Sequence, residues 1–319
     1  MIGYDKLMDN HLRIYEVGPR DGLQNEAKPV TTADKKILID GLVAAGLNEI
    51  EVASFVHPKL VPQMADGDEI ARWAMMEHGQ PWPPRRLVGL VLNEKGYDRA
   101  LAAGCNAVAL GVSVSETFSQ RNTNMSSQRA LEIVQSLVKR ARQDGLWVRV
   151  YLMTSWVCPF EGNINPWKTI AFAEKIWELG IDELAIADTI GHANPFDVGD
   201  LMAELGRRLD MNKLAVHLHD TLAFGLANTY AALSVGVRIV DTSIGGLGGC
   251  PFAPGAAGNL ATEDLVMLAY KMGLGTGVDF NRLWPVVYHA EKMLGRRIGG
   301  RIRAWWEAEC RNEPVVTAP

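Results

Sequence analysis

His217 and His219 stand two residues apart in the run His217-Leu218-His219-Asp220. Alternation along a strand turns both imidazoles to one side. Two imidazoles at a strand end make half a metal site, and a carboxylate and a carboxamide would complete it. Asp21 follows a short apolar run, within Gly18-Pro19-Arg20-Asp21-Gly22. Asn259 closes a glycine-rich stretch that opens at Asp241. Two nitrogens and two oxygens with open positions suit a divalent ion that must also hold substrate oxygens. The oxygen ligands favour magnesium or manganese, while the histidines leave zinc or iron open. Taken alone, the histidines also fit a hydrogen-bonded pair at a strand end.

Arg20 adjoins Asp21 and offers planar donors for a carboxylate or an enolate oxygen. Its alternative is a salt bridge to Glu51 or Asp188. Glu51 lies in the apolar run Glu49 to Val52, where a charge is costly unless paired, so a place beside Arg20 is expected. Asp188 ends the run that starts at Glu183. It either joins the same site or, with Thr189, caps the next helix. Cys250 sits in the glycine-rich stretch, whose low bulk and backbone freedom suit a loop that approaches a ligand or closes over it.

These residues need a frame that gathers them at one end. An alanine-rich or amphipathic stretch ends in glycine and passes into a short apolar run at Gly46, Gly104, Gly145, Gly180 and Gly236. Glycine just past a helix end is a left-handed cap. Each unit therefore reads helix, short loop, strand. Strands are expected to begin near residues 12, 48, 86, 107, 146, 182, 213 and 238, with helices between them, for example over 127–143, 166–179 and 222–235. Eight such units predict an α/β fold, a (β/α)8 TIM barrel with additional C-terminal helices. The rival is a doubly wound open sheet, weakened because no G-x-G-x-x-G follows the first strand. In a barrel the strand C-termini form the active face, and the polar residues above fall there repeatedly. The expected division is a barrel over 1–278 and a helical extension over 279–319, with Trp284, Trp305 and Trp306 packing on the barrel or across a dimer interface.

Composition narrows the class. With 319 residues and 48% apolar content, the chain can bury a large core. A net charge of −5 argues against a nucleic-acid or anionic-membrane surface. Four scattered cysteines form no C-x-x-C pair, which points to reduced thiols and a cytoplasmic setting. The N-terminal residues carry no secretory or transit pattern, and no apolar run reaches membrane-spanning length.

Longer motifs are more specific. Glu16-Val-Gly-Pro-Arg-Asp-Gly-Leu-Gln-Asn-Glu26, Ser54-Phe-Val-His-Pro-Lys59, Val61-Pro-Gln-Met64, Cys158-Pro-Phe-Glu-Gly162, Asp188-Thr-Ile-Gly191, His217-Leu-His-Asp-Thr221 and Gly245 through Pro251 resemble the hydroxymethylglutaryl-CoA lyase family. The resemblance spans roughly residues 12 to 290. It implies Asp21, His217, His219 and Asn259 as metal ligands for Mg2+ or Mn2+. It implies Arg20 as stabiliser of the developing enolate, with Glu51 and Asp188 as catalytic support and Cys250 as the loop thiol. The hydroxyl proton would pass to His217, Asp21 or, through water, Cys250. Gln24, Ser54, Tyr151, Thr189, Arg121 and Asn122 are implied as contacts to substrate or coenzyme A. The implied activity is metal-dependent cleavage of a 3-hydroxy-3-methylacyl-CoA to acetyl-CoA and a keto acid, by a homodimer or higher oligomer.

Some positions depart from the family pattern. Tyr151 is followed by Leu152-Met153-Thr154, Glu51 by Val52-Ala53, and Thr221 by Leu222-Ala223-Phe224, while His57 replaces a frequent serine. These changes bear on the acyl group, so citramalyl-CoA or a longer 3-hydroxy-3-alkyl substrate is an alternative. A Claisen-condensing transferase of the same superfamily is a further one, set back by the short C-terminal tail.

Overall fold

The computed structural model describes residues 11–79, 85–249 and 258–309. Eight parallel strands close into a barrel: β1 (Arg13–Glu16), β2 (Glu49–Ser54), β3 (Arg86–Leu90), β4 (Ala107–Ser113), β5 (Trp147–Met153), β6 (Glu183–Asp188), β7 (Leu214–Leu218) and β8 (Ile239–Thr242). Each pairs with its neighbour in sequence, and β8 pairs with β1 to shut the barrel, Tyr15 opposite Asp241. The open-sheet alternative is thereby set aside.

The five glycines of the repeat all take the left-handed conformation expected of helix-ending caps: φ is 100° at Gly46, 82° at Gly104, 72° at Gly145, 73° at Gly180 and 112° at Gly236. Strand follows within a few residues in every case, which is why the strands begin so close to their expected positions. Helix starts are equally local in origin. The Ser126 side chain accepts the Arg129 N–H to open the helix Ser127–Gln143, whose Ala130, Val134, Leu137 and Ala141 are buried against the barrel. Asn165 and Asn194 do the same ahead of Pro166–Trp177 and Pro195–Gly206, each with proline in the first turn.

Outside the barrel wall the packing is apolar. Inside, apolar residues share the space with charged ones. Arg13, Glu49, Arg149, Glu183 and Asp241 come from five strands and pair with one another across the axis, while Glu51 pairs with Arg20 above them.

The segment after β8 carries the helices Thr262–Lys271, Phe280–Leu294 and Arg303–Glu309. Val286 packs against Gly41 of the first helix, Thr32–Ala44, so closely that a Cβ there would come within 2.7 Å of it. Trp284 and Trp306 stack on each other, centroids 4.9 Å apart, within one chain. Trp305 is the more exposed of the three tryptophans noted in this tail. The turn between the last two helices lies over the active end: Gly299 N–H donates to the Gly245 carbonyl (3.1 Å), Gly300 N–H to Glu263 (2.6 Å) and Arg301 to Asp220 (2.6 Å). No described helix is long and apolar enough to cross a membrane.

Burial pushes the Glu16 and Glu263 carboxyls up to about 7, against hydrogen bonds that pull the other way. A carboxyl raised above its unfolded value adds stability in full below about pH 4.3 and loses it as pH rises through its folded value. The metal-free protein is therefore expected to melt at a lower temperature at about pH 8 than at about pH 6, and less so in Glu263→Gln. Differential scanning calorimetry checks this; a Tm that climbs over that range would contradict it.

Candidate active site

Residues Gly18–Gly22 form one wide helical turn immediately after β1, with the Gly22 N–H reaching the Val17 carbonyl at 3.1 Å. That turn lifts Arg20 and Asp21 to the barrel mouth. Glu16 fastens it: its Oε1 accepts from Gly18 N–H (2.7 Å) and Ile244 N–H (2.9 Å), and its Oε2 from the Thr262 hydroxyl (2.6 Å). One buried carboxyl thus joins the turn to both flanks of the glycine-rich stretch.

His217 ends up inside the barrel on β7, and His219 just beyond it, in a bridge with Asn259. The two rings lie 5.1 Å apart. A ligand atom from each of Asp21, His217 and His219 lies within 4.8 Å of the others. Each Nδ1 is committed: His217 to Asp241 Oδ2 (3.0 Å) and His219 to the Asp188 carbonyl (3.0 Å). Both rings are thereby oriented with Nε2 left for a ligand, the arrangement that metal-binding imidazoles use. Burial, and then His217, push His219 down to about 4, so it is neutral and able to bind a cation at neutral pH. Burial would raise Asp21, but Arg20 and the two imidazoles outweigh it and hold the carboxyl well below the usual range.

Asn259 is buried, and its Nδ2 donates to Asp21 (2.9 Å) and to the Leu247 carbonyl (3.1 Å). Its Oδ1 is buried with no partner among the described residues. A buried acceptor left unsatisfied beside two oriented imidazoles and an anion fits a divalent cation. The residues present therefore suit the ion that the sequence suggested.

Arg20 is buried, with Nε on Glu51 Oε1 and Nη1 on Asp21 Oδ1 at 2.6 Å. Glu51 in turn accepts the hydroxyls of Tyr15 (3.0 Å) and Tyr151 (2.7 Å) on Oε2. The expected Arg20–Glu51 pair is present, and the described residues offer Nη2 no acceptor. That leaves donors of a fixed, charged fork for an incoming oxygen.

The carboxylate of Asp188 turns away from the cation set and accepts the N–H groups of His192 (3.1 Å) and Ala193 (2.9 Å). It shapes the loop ahead of the next helix, and it is the Asp188 backbone that steadies His219. Thr189 presents its hydroxyl to the Thr154 N–H (2.8 Å), where Thr154 has φ 54°. Ser54, at the end of β2, and half-buried Gln24 each hold a buried oxygen without a partner among the described residues. Arg121 and Asn122 are exposed on the helix Glu116–Thr123, with the Arg121 guanidinium 4.2 Å from the Phe160 ring centroid. Phe160 belongs to a small hairpin, Val157–Cys158 with Gly162–Asn163, whose Glu161 accepts from Ser115 and Thr117 at the start of that helix. Cys250 lies outside the described residues. Among the departures, Met153 stands half-buried at the mouth, while Leu222 and Phe224 are exposed.

Gly248 and Gly258 show why the loop's base needs glycine. A Cβ on Gly258 would lie 2.0 Å from the Gly246 carbonyl oxygen, and one on Gly248 2.6 Å from Asn259 Nδ2. Gly258→Ala is expected to displace Asn259 and weaken Mn2+ binding by about tenfold or more, as loss of a ligand-orienting contact does. Calorimetric titration of the metal-free protein checks it; unchanged affinity would show that Asn259 stays in place.

Asp241, Arg149, Glu183, Tyr15 and Glu16 were not picked out from the sequence. Arg149 did carry a signal: it is a lone charge in the apolar run Trp147–Met153, as Glu51 is in its own.

A metal-competent set of side chains at the mouth of a closed barrel, with an arginine beside it, can hold a divalent cation and an anionic oxygen together. The HMGL-like family profile matches residues 11–288, and the chain belongs to that family. The bovine mitochondrial hydroxymethylglutaryl-CoA lyase is 41% identical over 291 residues, covering 91% of this chain and 88% of that protein. A crystal structure of the lyase from Pseudomonas aeruginosa superposes with a TM-score of 0.89 at 38% identity, covering 94% of this chain and 99% of that one. A structure of an HMG-CoA lyase from Acinetobacter baumannii, in complex with coenzyme A and 3-methylmalate, has a TM-score of 0.87 at 34% identity and covers all of both chains. The chain is an enzyme of the hydroxymethylglutaryl-CoA lyase type.

Proposed function

We propose that the substrate is 3-hydroxy-3-methylglutaryl-CoA, cleaved to acetyl-CoA and acetoacetate. The observation that carries this reading is Arg20, clamped by Glu51 and Asp21 with Nη2 unclaimed, directly beside the cation set. Asp21, His217, His219 and Asn259 would hold magnesium or manganese, which when bound lowers the pKa of a substrate hydroxyl. The hydroxyl proton leaves to a base at the mouth. Asp21, so strongly acidified by Arg20, is the weakest of the three candidates for that base. The electron pair of the O–H bond forms the new carbonyl of acetoacetate. The bond between the carbinol carbon and the thioester α-carbon breaks, and its electrons pass to the thioester as an enolate. Arg20 offsets the enolate charge with donors already in place. Protonation at the α-carbon then gives acetyl-CoA.

Gln24, Ser54, Tyr151, Thr189, Arg121 and Asn122 are proposed to contact the acyl group or coenzyme A. Unsatisfied buried oxygens on Gln24 and Ser54 support this for the first two. The A. baumannii relative's complex with 3-methylmalate favours a second reading, a related hydroxy diacid thioester such as citramalyl-CoA. A homodimer and a cytoplasmic setting are part of this proposal; the described cysteines, Cys105 and Cys158, are free thiols, while several relatives, the bovine one among them, are mitochondrial by name.

The test is acetyl-CoA release, with added magnesium or manganese, from hydroxymethylglutaryl-CoA, both citramalyl-CoA stereoisomers and a longer 3-alkyl analogue. Cleavage of the first is expected to be fastest. Inactivity on it alongside cleavage of another would move the substrate and leave the bond-breaking chemistry.

A further inference from the structure

Below the mouth, the barrel axis is crossed by one fully buried arginine. Arg149 arrives from β5 with 0% exposure. Its Nη2 donates to Asp241 Oδ1, and Nη1 pairs with Glu183 Oε1 at 2.9 Å. Asp241 uses its other oxygen to hold His217 Nδ1. The flat guanidinium also lies 3.7 Å from the ring centroid of Tyr15 and 5.0 Å from that of Tyr151. Those are the two tyrosines whose hydroxyls fix Glu51, the partner of Arg20.

Two chains of contact therefore start at one side chain. One runs through Asp241 to His217 and the cation set. The other runs through two aromatic faces and Glu51 to Arg20. We propose that Arg149 is the positioning residue that sets these two halves of the mouth against each other, aiming His217 through Asp241 and Arg20 through the tyrosine pair. The proposal deepens the reading above and rests on it for the meaning of the two halves.

The physical argument is one of geometry and cost. A buried cation is expensive unless its partners compensate for lost water; the hydrogen bond to Asp241, the ion pair with Glu183 and two π-faces do so in part, while Nε and Nη1 have no hydrogen-bond partner among the described residues. Burial alone would favour losing the proton; Asp241 leads the groups that outweigh it. Charge balance by itself needs neither the contact with two rings nor a direct bond to the carboxylate that orients His217. Lysine could supply the charge but not the planar, two-pronged contact.

The decisive variant is Arg149→Met/Glu183→Gln, which removes one positive and one negative charge and keeps the layer's net charge. Folding is followed by circular dichroism. Mn2+ affinity of the full chain is measured by electron paramagnetic resonance without any thioester, so an incorrect substrate assignment leaves this readout intact. The expected result is a folded protein whose Mn2+ dissociation constant rises about tenfold or more, the loss typical of an outer partner of a ligand. On hydroxymethylglutaryl-CoA, kcat should fall by at least the same factor with KM little changed, while Glu183→Gln alone, which leaves the Arg149–Asp241 contact in place, should lose less. Should the double variant not fold, Arg149→Lys is measured in its place, with the same direction expected. An arginine that only stabilises the core would lower Tm and leave the Mn2+ affinity of the folded protein unchanged; that outcome overturns the proposal.

Discussion

Arg20→Met is expected to lower kcat by about a thousandfold, the upper range for removing a donor that meets developing negative charge. The argument starts from what Arg20 already holds. Glu51 and Asp21 take Nε and Nη1, so the fork cannot swing away, and the described residues leave Nη2 without an acceptor. A donor fixed before the reaction spends nothing on reorganisation when the enolate forms. KM should change far less than kcat, because the charge it meets exists only after the carbon–carbon bond begins to break. Arg20→Lys should recover part of the loss, since an ammonium keeps the charge but cannot bridge Glu51, Asp21 and a substrate oxygen in one plane. Steady-state kinetics with acetyl-CoA detection provides the check. A loss of less than about tenfold would remove Arg20 from enolate stabilisation.

Asp21→Asn should act on the other half of the mouth. Asp21 is the one anion in the set of Asp21, His217 and His219, and it also receives the Asn259 carboxamide. Asparagine keeps the size and loses the charge, so Mn2+ affinity should drop by more than about a hundredfold, beyond the loss typical of an outer partner. Activity should fall with it and return only in part at saturating metal, because Arg20 loses a clamp as well. Wild-type affinity in Asp21→Asn would exclude it as a ligand.

Much of this site was legible in the amino-acid sequence, for local reasons. Glycine caps placed the strand starts, and strand alternation put His217 and His219 on one side. A lone glutamate in an apolar strand demanded a partner, and Arg20 is that partner. What stayed hidden depends on register between distant strands. Asp241 is 92 residues from Arg149, and nothing local says that the two meet across the barrel axis. The cap of the next helix is Asn194 and not Asp188, whose carboxylate shapes the loop before that helix while its carbonyl supports His219. Gly248 and Gly258 show a use of glycine that the sequence reading did not name, close packing of the loop's base against its own backbone and Asn259.

The closing of β8 onto β1 also fixes when this protein can become an enzyme. Asp21 and Asn259 are 238 residues apart, yet they share a hydrogen bond. A chain emerging from the ribosome therefore carries its first ligand for most of its synthesis with neither the histidines nor the carboxamide to meet it. Such long-range pairing is slow in general, and here it cannot form before Asn259 has been made. The affinity for metal is thus postponed to the finished barrel, and a stalled or truncated nascent chain would neither sequester the ion nor expose a half-built catalytic mouth to thioesters in the cell.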